Sequence, residues 1–156
     1  MPMDYEFDDL DKQILTHLLN DSRMAYTELA KKLLISPGTV HVRMNKMENA
    51  GIVERATLKL NPHLLGYDVV AFIGLNFEKA GLYDTVIAQL KQIPEVVEAH
   101  YTTGNYGLFI KLICRNTEHL REVLQSKIQL VSGISKTETF LSLEEGISRS
   151  IPTNTF

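Results

Sequence analysis

The chain has 156 residues, 44% hydrophobic and 22% charged, with a formal net charge of −3, enough for one medium domain or two small ones with usable cores. Its apolar runs fall short of the ~18 residues a membrane span needs, and no basic segment leads into a hydrophobic one, so no membrane partner and a cytoplasmic placement are expected. The single Cys114 allows no internal disulfide, and the five scattered histidines follow no metal-ligand spacing, so neither a metal nor another cofactor is expected.

Asp8 or Asp9 caps a first helix, in which Leu10, Ile14, Leu15, Leu18 and Leu19 form one apolar stripe before Asn20-Asp21-Ser22 ends it. A second helix runs from about Tyr26 to Leu34 and buries Leu29, Ala30 and Leu33. After a tight break, Ser36 caps a third helix with Pro37 in its first turn, and Gly51 closes it. Val40, Met44 and Met47 recur at i, i+4 and i+7, so that face packs inward and Thr39, Val42, Arg43 and Lys46 point outward. This is the layout of a helix-turn-helix reader of double-stranded DNA. Residues 22–60 carry seven Lys and Arg against three Glu, a local +4 despite the acidic total, and phosphate binding depends on the contacting face.

Ile52 to Leu60 has β character and predicts a short wing ribbon, and Asn61-Pro62 to Gly66 reads as a hinge. Beyond it the period changes to two: Tyr67 to Glu78 places Val69, Ala71, Ile73, Leu75 and Phe77 on one side of a strand. Tyr83, Val86, Ile87 and Leu90 mark a helix ending near Pro94, and strands follow at Val96–Thr103 and Leu108–Cys114 around the turn Gly104-Asn105-Tyr106-Gly107. Asn116 or Thr117 caps a helix with Leu120, Val123, Leu124 and Ile128, and Thr137–Leu143 is the last strand. The order β-α-β-β-α-β is ferredoxin-like, with both helices on one face of an antiparallel sheet. Apolar residues on both sides of the strands, Val70 and Phe72 as well as Val69 and Ile73, imply that the other face needs a cover, most simply a second subunit. The fold class is therefore α+β: residues 1–60 a winged helix-turn-helix, 61–66 a hinge, 67–145 a ferredoxin-like domain, and 146–156 a tail that is partly disordered or packs on a neighbouring subunit.

This organisation resembles the Lrp/AsnC ("feast/famine") transcription regulators over nearly all of Asp8 to Leu143. The resemblance rests on Leu10-Asp11-Lys12-Gln13-Ile14-Leu15, Ser36-Pro37-x-Thr39-Val40-x-x-Arg43, Glu48-x-x-Gly51-Ile52-Val53, Leu65-Gly66-Tyr67 and Thr103-Gly104-Asn105-Tyr106 in order. Val40-His41-Val42-Arg43, Tyr101-Thr102-Thr103-Gly104, Lys127-Ile128-Gln129 and Thr137-Glu138-Thr139 look most like the asparagine-responsive branch. The resemblance implies a RAM/ACT-like C-terminal domain, a homodimer assembling into rings, commonly octamers, and amino-acid effectors bound between dimers. Two positions depart from the family pattern. Leu34 stands where the family often has Gly between the two helices, and Gly107 where its effector loop often has Asp.

The expected base-reading residues are Ser36, Thr39, Val42, Arg43 and Lys46, with Arg43 suited to guanine O6 and N7 and Thr39 and Val42 to thymine methyls. Lys31, Lys32 and Arg55 are expected phosphate contacts, and His41 lies at the edge of the face, contact and bystander being equally open. The alternative for Arg43 and Lys46 is a plain solvated helix face. For the effector, Tyr101, Thr103, Gly104, Asn105 and Tyr106 combine with Gln129, Ser135, Thr137 and Thr139. Backbone N–H groups at the glycine turn suit a carboxylate, and hydroxyls or Gln129 suit an amide. Glu138 is an acceptor for an ammonium or an exposed strand carboxylate, Thr137 and Thr139 have cross-strand pairing as their alternative, and the tyrosines have packing. The expected function is a sequence-specific, amino-acid-responsive transcription regulator with asparagine as the leading effector and no enzymatic activity. An effector-independent protein that wraps DNA, and a haem-pathway decarboxylase of similar two-domain layout, are the competing readings.

Overall fold

A computed structural model describes residues 5–149 and 151. It forms two compact units, one comprising residues up to Lys59 and the described residues from Ile147, the other Leu60–Gly146.

In the first unit, helices α1 (Asp9–Asn20), α2 (Tyr26–Leu33) and α3 (Pro37–Asn49) enclose a core of Ile14, Leu29, Ala30, Val40, Met44 and Met47. The buried α3 residues are the i, i+4, i+7 set read from the sequence. Asp8 caps α1 through a reciprocal capping box with Asp11. Ser36 caps α3, its Oγ accepting from the Thr39 N–H at 3.0 Å. Gly51, at φ 74°, ends α3, with the Ile52 N–H reaching back to the Met47 carbonyl at 2.9 Å. Helix α2 stops one residue before the predicted end because Leu34 takes the left-handed conformation, φ 57° and ψ 39°.

The ribbon expected from Ile52 to Leu60 is not formed as a strand. Residues 53–60 form no strand, and all but Val53 are exposed. The segment has β-favouring side chains but no partner among the described residues, and an unpaired ribbon leaves its backbone groups to water.

The second unit is a four-stranded antiparallel sheet in the order β2-β3-β1-β4, from β1 (Val69–Phe77), β2 (Val96–Tyr101), β3 (Leu108–Cys114) and β4 (Ile134–Leu141). Helices α4 (Tyr83–Leu90) and α5 (Thr117–Ser126) supply Val86, Leu90, Leu120 and Val123 to one core with Ala71, Ile73, Leu75, Leu108, Ile110, Leu112 and Cys114. The period-two reading of β1 and β3 is met. Cys114 is a fully buried hydrophobe, and its thiol pKa is raised by that burial.

Several boundaries in the second unit differ from expectation: β1 and β2 are shorter, at Val69–Phe77 and Val96–Tyr101, and β4 ends at Leu141. Ile128 lies in a separate 3-10 turn (Ile128–Leu130), since Lys127 leaves helical geometry at φ −126° and ψ −61°. Strand β4 begins at Ile134, three residues early, because β1 is long enough to pair with it down to Phe77. A 3-10 turn, His63–Leu65, lies in the segment read as a hinge and closes on Gly66 at φ 80°. The 146–156 tail expectation falls largely on residues outside the described set, although the Lys59 ammonium meets the Ser148 hydroxyl at 2.7 Å within the first unit.

Candidate functional site

In the first unit, Ser36, Gly38, Thr39, Val42, Arg43 and Lys46 of α3 line a groove of about 510 Å³ with Tyr5, Glu6 and Asp8. Burial of Val40, Met44 and Met47 forces the intervening side chains onto this side. Val42 is 54% exposed, and Thr39 shares a 2.9 Å hydroxyl contact with Ser36. Lys31, Lys46 and Arg55 are exposed and have no ion-pair partner among the described residues, whereas Lys32 pairs with Glu28 at 3.1 Å. His41 is exposed on α3, its ring edge-on to Tyr26 at 4.6 Å between centroids.

Arg43 departs from the simple outward expectation. Its Nη1 donates to both carboxylate oxygens of Asp8 at 2.7 Å and to Oδ1 of Asp11 at 2.9 Å. Asp11 is fully buried, so its charge requires a partner. Its other oxygen accepts from the Tyr5 hydroxyl at 2.8 Å and the Asp8 N–H at 3.1 Å. The Arg43 hydrogen bond, helped by the Asp11 N–H, holds the Asp8 carboxyl below the usual carboxylate range, and the two acids raise the guanidinium pKa further. Burial, followed by the bond to Asp11, pushes the Tyr5 phenol up to about 12. Sequence reading gave Asp8 a capping role on the first helix and named Asp11 only within the family motif. A carboxylate on a helix's apolar side, four residues from Leu15 and three from Ile14, was the available signal.

In the second unit, strand register separates the expected effector residues. Tyr101 pairs with Leu108, Leu108 with Leu75, and Leu75 with Thr137, so these four form one row on the helix-covered face. Three strand spacings put Tyr101 and Thr137 about 14 Å apart with two buried leucines between them. Thr139 is on the same face, opposite Ile73. Tyr101 instead packs against Tyr83 with ring centroids 4.9 Å apart and the planes tilted by 51°. Ser135 bonds to the Asn76 and Phe77 carbonyls at 3.2 Å, beside the register shift in β1 and β4. Gln129 is exposed on its 3-10 turn.

The opposite face carries the row His100, Phe109, Gly74, Glu138, and beside it Glu98, Lys111, Phe72, Phe140. Tyr106 lies across the first row. A side chain at Gly74 would come within 2.5 Å of its ring, so this glycine lets the ring reach Glu138, whose carboxylate accepts from the phenol at 2.6 Å. That bond raises the Tyr106 pKa. Phe72, Phe109, Phe140 and Tyr106 form an aromatic group at centroid spacings of 6.0 to 6.2 Å. Thr103, Gly104 and Asn105 sit exposed in the connecting turn, with Gly104 at φ 104° and the Thr102 hydroxyl closing on the Tyr106 carbonyl at 2.7 Å. Gly107 packs on the Phe77 ring, which a Cβ would approach to 2.6 Å, so an acidic side chain at that position would require the ring to move. The expected set is thus divided: Tyr106 and Glu138 are joined on one face, and strand register puts Thr137 and Thr139 on the other. Period-two alternation already put Glu138 opposite to its neighbours; the pairing partners that fix the row were not readable.

No group of three His, Cys, Asp or Glu residues among the described residues is arranged to hold a metal ion, and none of their helices is long and apolar enough to cross a membrane.

Residues 7–54 match the family model described as winged helix-turn-helix DNA-binding, and residues 70–151 match the Lrp/AsnC ligand binding domain. The chain is 46% identical over 147 residues to regulatory protein AsnC of Escherichia coli strain K12, covering 94% of this chain and 97% of that protein. The solved structure of E. coli AsnC matches with a TM-score of 0.89, over 94% of this chain and 99% of that one at 46% identity. The fold is also that of the transcriptional regulator NMB0573/L-Met complex from Neisseria meningitidis, at 23% identity and a TM-score of 0.90 over 96% of this chain and 99% of that one.

Proposed function

This chain belongs to the Lrp/AsnC family of regulators, and on that premise we propose that it is a cytoplasmic transcription regulator whose DNA binding or assembly responds to asparagine. The observation that carries the reading is the α3 groove, where Ser36, Thr39, Val42, Arg43 and Lys46 converge on one accessible surface. A helix with its first two turns so presented suits a major groove, with Lys31 and Arg55 placed to meet phosphates.

The protein acts by binding and not by catalysis. Its effector is an amino acid, taken by the Glu138 face and the Gly104 turn, with Glu138 receiving the ammonium and turn N–H groups the carboxylate. Thr137, Thr139, Tyr101, Gln129 and Ser135 enter the same site only if a second copy brings them there, which supports a pocket completed between subunits of a homo-oligomer. The N. meningitidis regulator is an L-Met complex, which supports the effector class, and the E. coli relative's name, AsnC, supports asparagine. Coupling requires that the effector bind two assembly states with different affinity, because equal affinity shifts nothing.

Calorimetric titration with asparagine, then with the other common amino acids, tests the reading. Saturable heat with asparagine, weakened in Glu138→Gln, is expected, and DNA affinity measured by fluorescence anisotropy should change when asparagine is added. Silence across the panel would sink the effector assignment and leave a protein that wraps DNA without a small-molecule signal.

A further inference from the structure

Arg43 meets its two carboxylates through one nitrogen. Nη1 takes all three contacts, at 2.7, 2.7 and 2.9 Å, while Nη2 and Nε have no partner among the described residues. A plain ion-pair latch between α1 and α3 needs only a single cationic nitrogen, which a lysine also offers. What an arginine adds is its second edge, the parallel Nε–H and Nη2–H pair that matches guanine O6 and N7. Arg43 remains 26% exposed and lines the α3 groove beside Thr39, Val42 and Lys46.

The charges lead to the same conclusion. Asp8 and Asp11 together outweigh the single guanidinium, so Arg43 contributes no net positive field toward phosphates. The half-exposed Asp8 carboxylate is itself unfavourable toward a DNA backbone. Both carboxylates are fixed from elsewhere: Asp8 accepts from the Leu10 and Asp11 N–H groups at 2.9 and 3.0 Å, and Asp11 is held by Tyr5 at 2.8 Å. A guanidinium anchored at one end by rigid acceptors loses little further freedom when its other edge binds a base.

We propose that Asp8 and Asp11 aim the free edge of Arg43 at a guanine, which makes Asp8 a positioning residue for base recognition although its own carboxylate touches no base. The inference rests on the DNA-binding reading above. Asp8→Asn is the informative variant, because asparagine still caps α1 but no longer holds the guanidinium by charge. The full-length protein is used to select sequences from a random double-stranded DNA pool, followed by anisotropy on the selected site and on single-base variants of it. The wild type should enrich a site with a required guanine. Asp8→Asn should lower the preference at that guanine about tenfold, with the other positions retained, unchanged melting temperature, and equal or higher affinity for unselected DNA. Arg43→Lys should relax the same position, and adding Asp8→Asn to it should change nothing more. Retention of the full guanine preference by Asp8→Asn overturns the proposal, as does a uniform loss at all positions together with a lower melting temperature. A wild type that enriches no sequence removes the DNA reading itself, and this inference with it.

Discussion

Leu34 is the one non-glycine residue among those described with a positive φ, and its side chain is 93% exposed. An L-residue in this conformation costs roughly 1–2 kcal/mol, and an exposed leucine has no packing to offset it. The turn survives because the buried residues on both sides, Leu29 and Ala30 before it and Val40 after it, fix the path of the chain. The Ile35 N–H also reaches back to the Ala30 carbonyl at 3.0 Å. Leu34→Gly is therefore expected to stabilise the first unit by about 1 kcal/mol, seen as a higher urea midpoint with unchanged slope. A lower midpoint would mean that the leucine side chain makes a contact outside this chain.

At the scale of single elements, α5 is pinned at both ends by one carboxylate. Glu95 accepts from the Lys127 ammonium at 2.7 and 2.9 Å after the helix, and lies 3.4 Å from His119 Nε2 in its first turn. His119 Nδ1 accepts the Arg115 N–H at 3.2 Å, which leaves Nε2 to carry the proton toward Glu95. Burial pushes the Glu95 pKa up, but the hydrogen bond and charge of Lys127 outweigh it, and the net shift is downward. A depressed carboxylate pKa gives stability that is present above the ordinary glutamate value and lost as pH falls through the folded one. Glu95→Gln should accordingly flatten the decline of melting temperature between about pH 5 and pH 3; an unchanged acid slope would show that the clamp is not coupled to folding. Strand β1 carries a different constraint at Gly74. Gly74→Ala should displace the Tyr106 ring, cost about 1 kcal/mol, and return the Tyr106 phenol toward its ordinary pKa, as followed by ultraviolet titration. A Tyr106 titration identical to the wild type would show that the ring never depended on that glycine.

For the molecule as a whole, the sheet face opposite α4 and α5 holds Phe72, Phe109, Phe140 and Tyr106, with Phe140 41% exposed. Such an aromatic group, flanked by Glu98, Lys111 and Glu138, is what a symmetric sheet-to-sheet contact would bury. Phe140→Glu should leave the circular dichroism spectrum unchanged while shifting sedimentation velocity toward the monomer. A variant that sediments as the wild type does would place self-association on another surface. If self-association completes the effector pocket, the same variant should also lose its calorimetric response to asparagine.

Local signals were enough for α3, whose cap, proline, buried triad and closing glycine all lie between Ser36 and Gly51, and for β3, whose period-two pattern is unbroken; β1 alternates except at Gly74, buried between Ile73 and Leu75. Residues 53–60 show the limit of such signals, since β-favouring side chains become a strand only where a partner offers hydrogen bonds. The groove lining on α3 followed from helical periodicity, so Ser36, Thr39, Val42, Arg43 and Lys46 could be placed together from the sequence. What periodicity cannot carry is contact across distance. Arg43 and Asp8 lie 35 positions apart, and only the packing of α1 against the rest of its unit brings a buried Asp11 to the guanidinium. The candidate effector residues divided for the same reason: alternation assigns a side to each residue within a strand, but the order β2-β3-β1-β4 decides which residues are neighbours. Sequence alone therefore determined the helices, the four strands of the sheet, most of their faces and the family. Tertiary structure decided which charges meet and which face each candidate shares, because those depend on long-range pairing that no local pattern encodes.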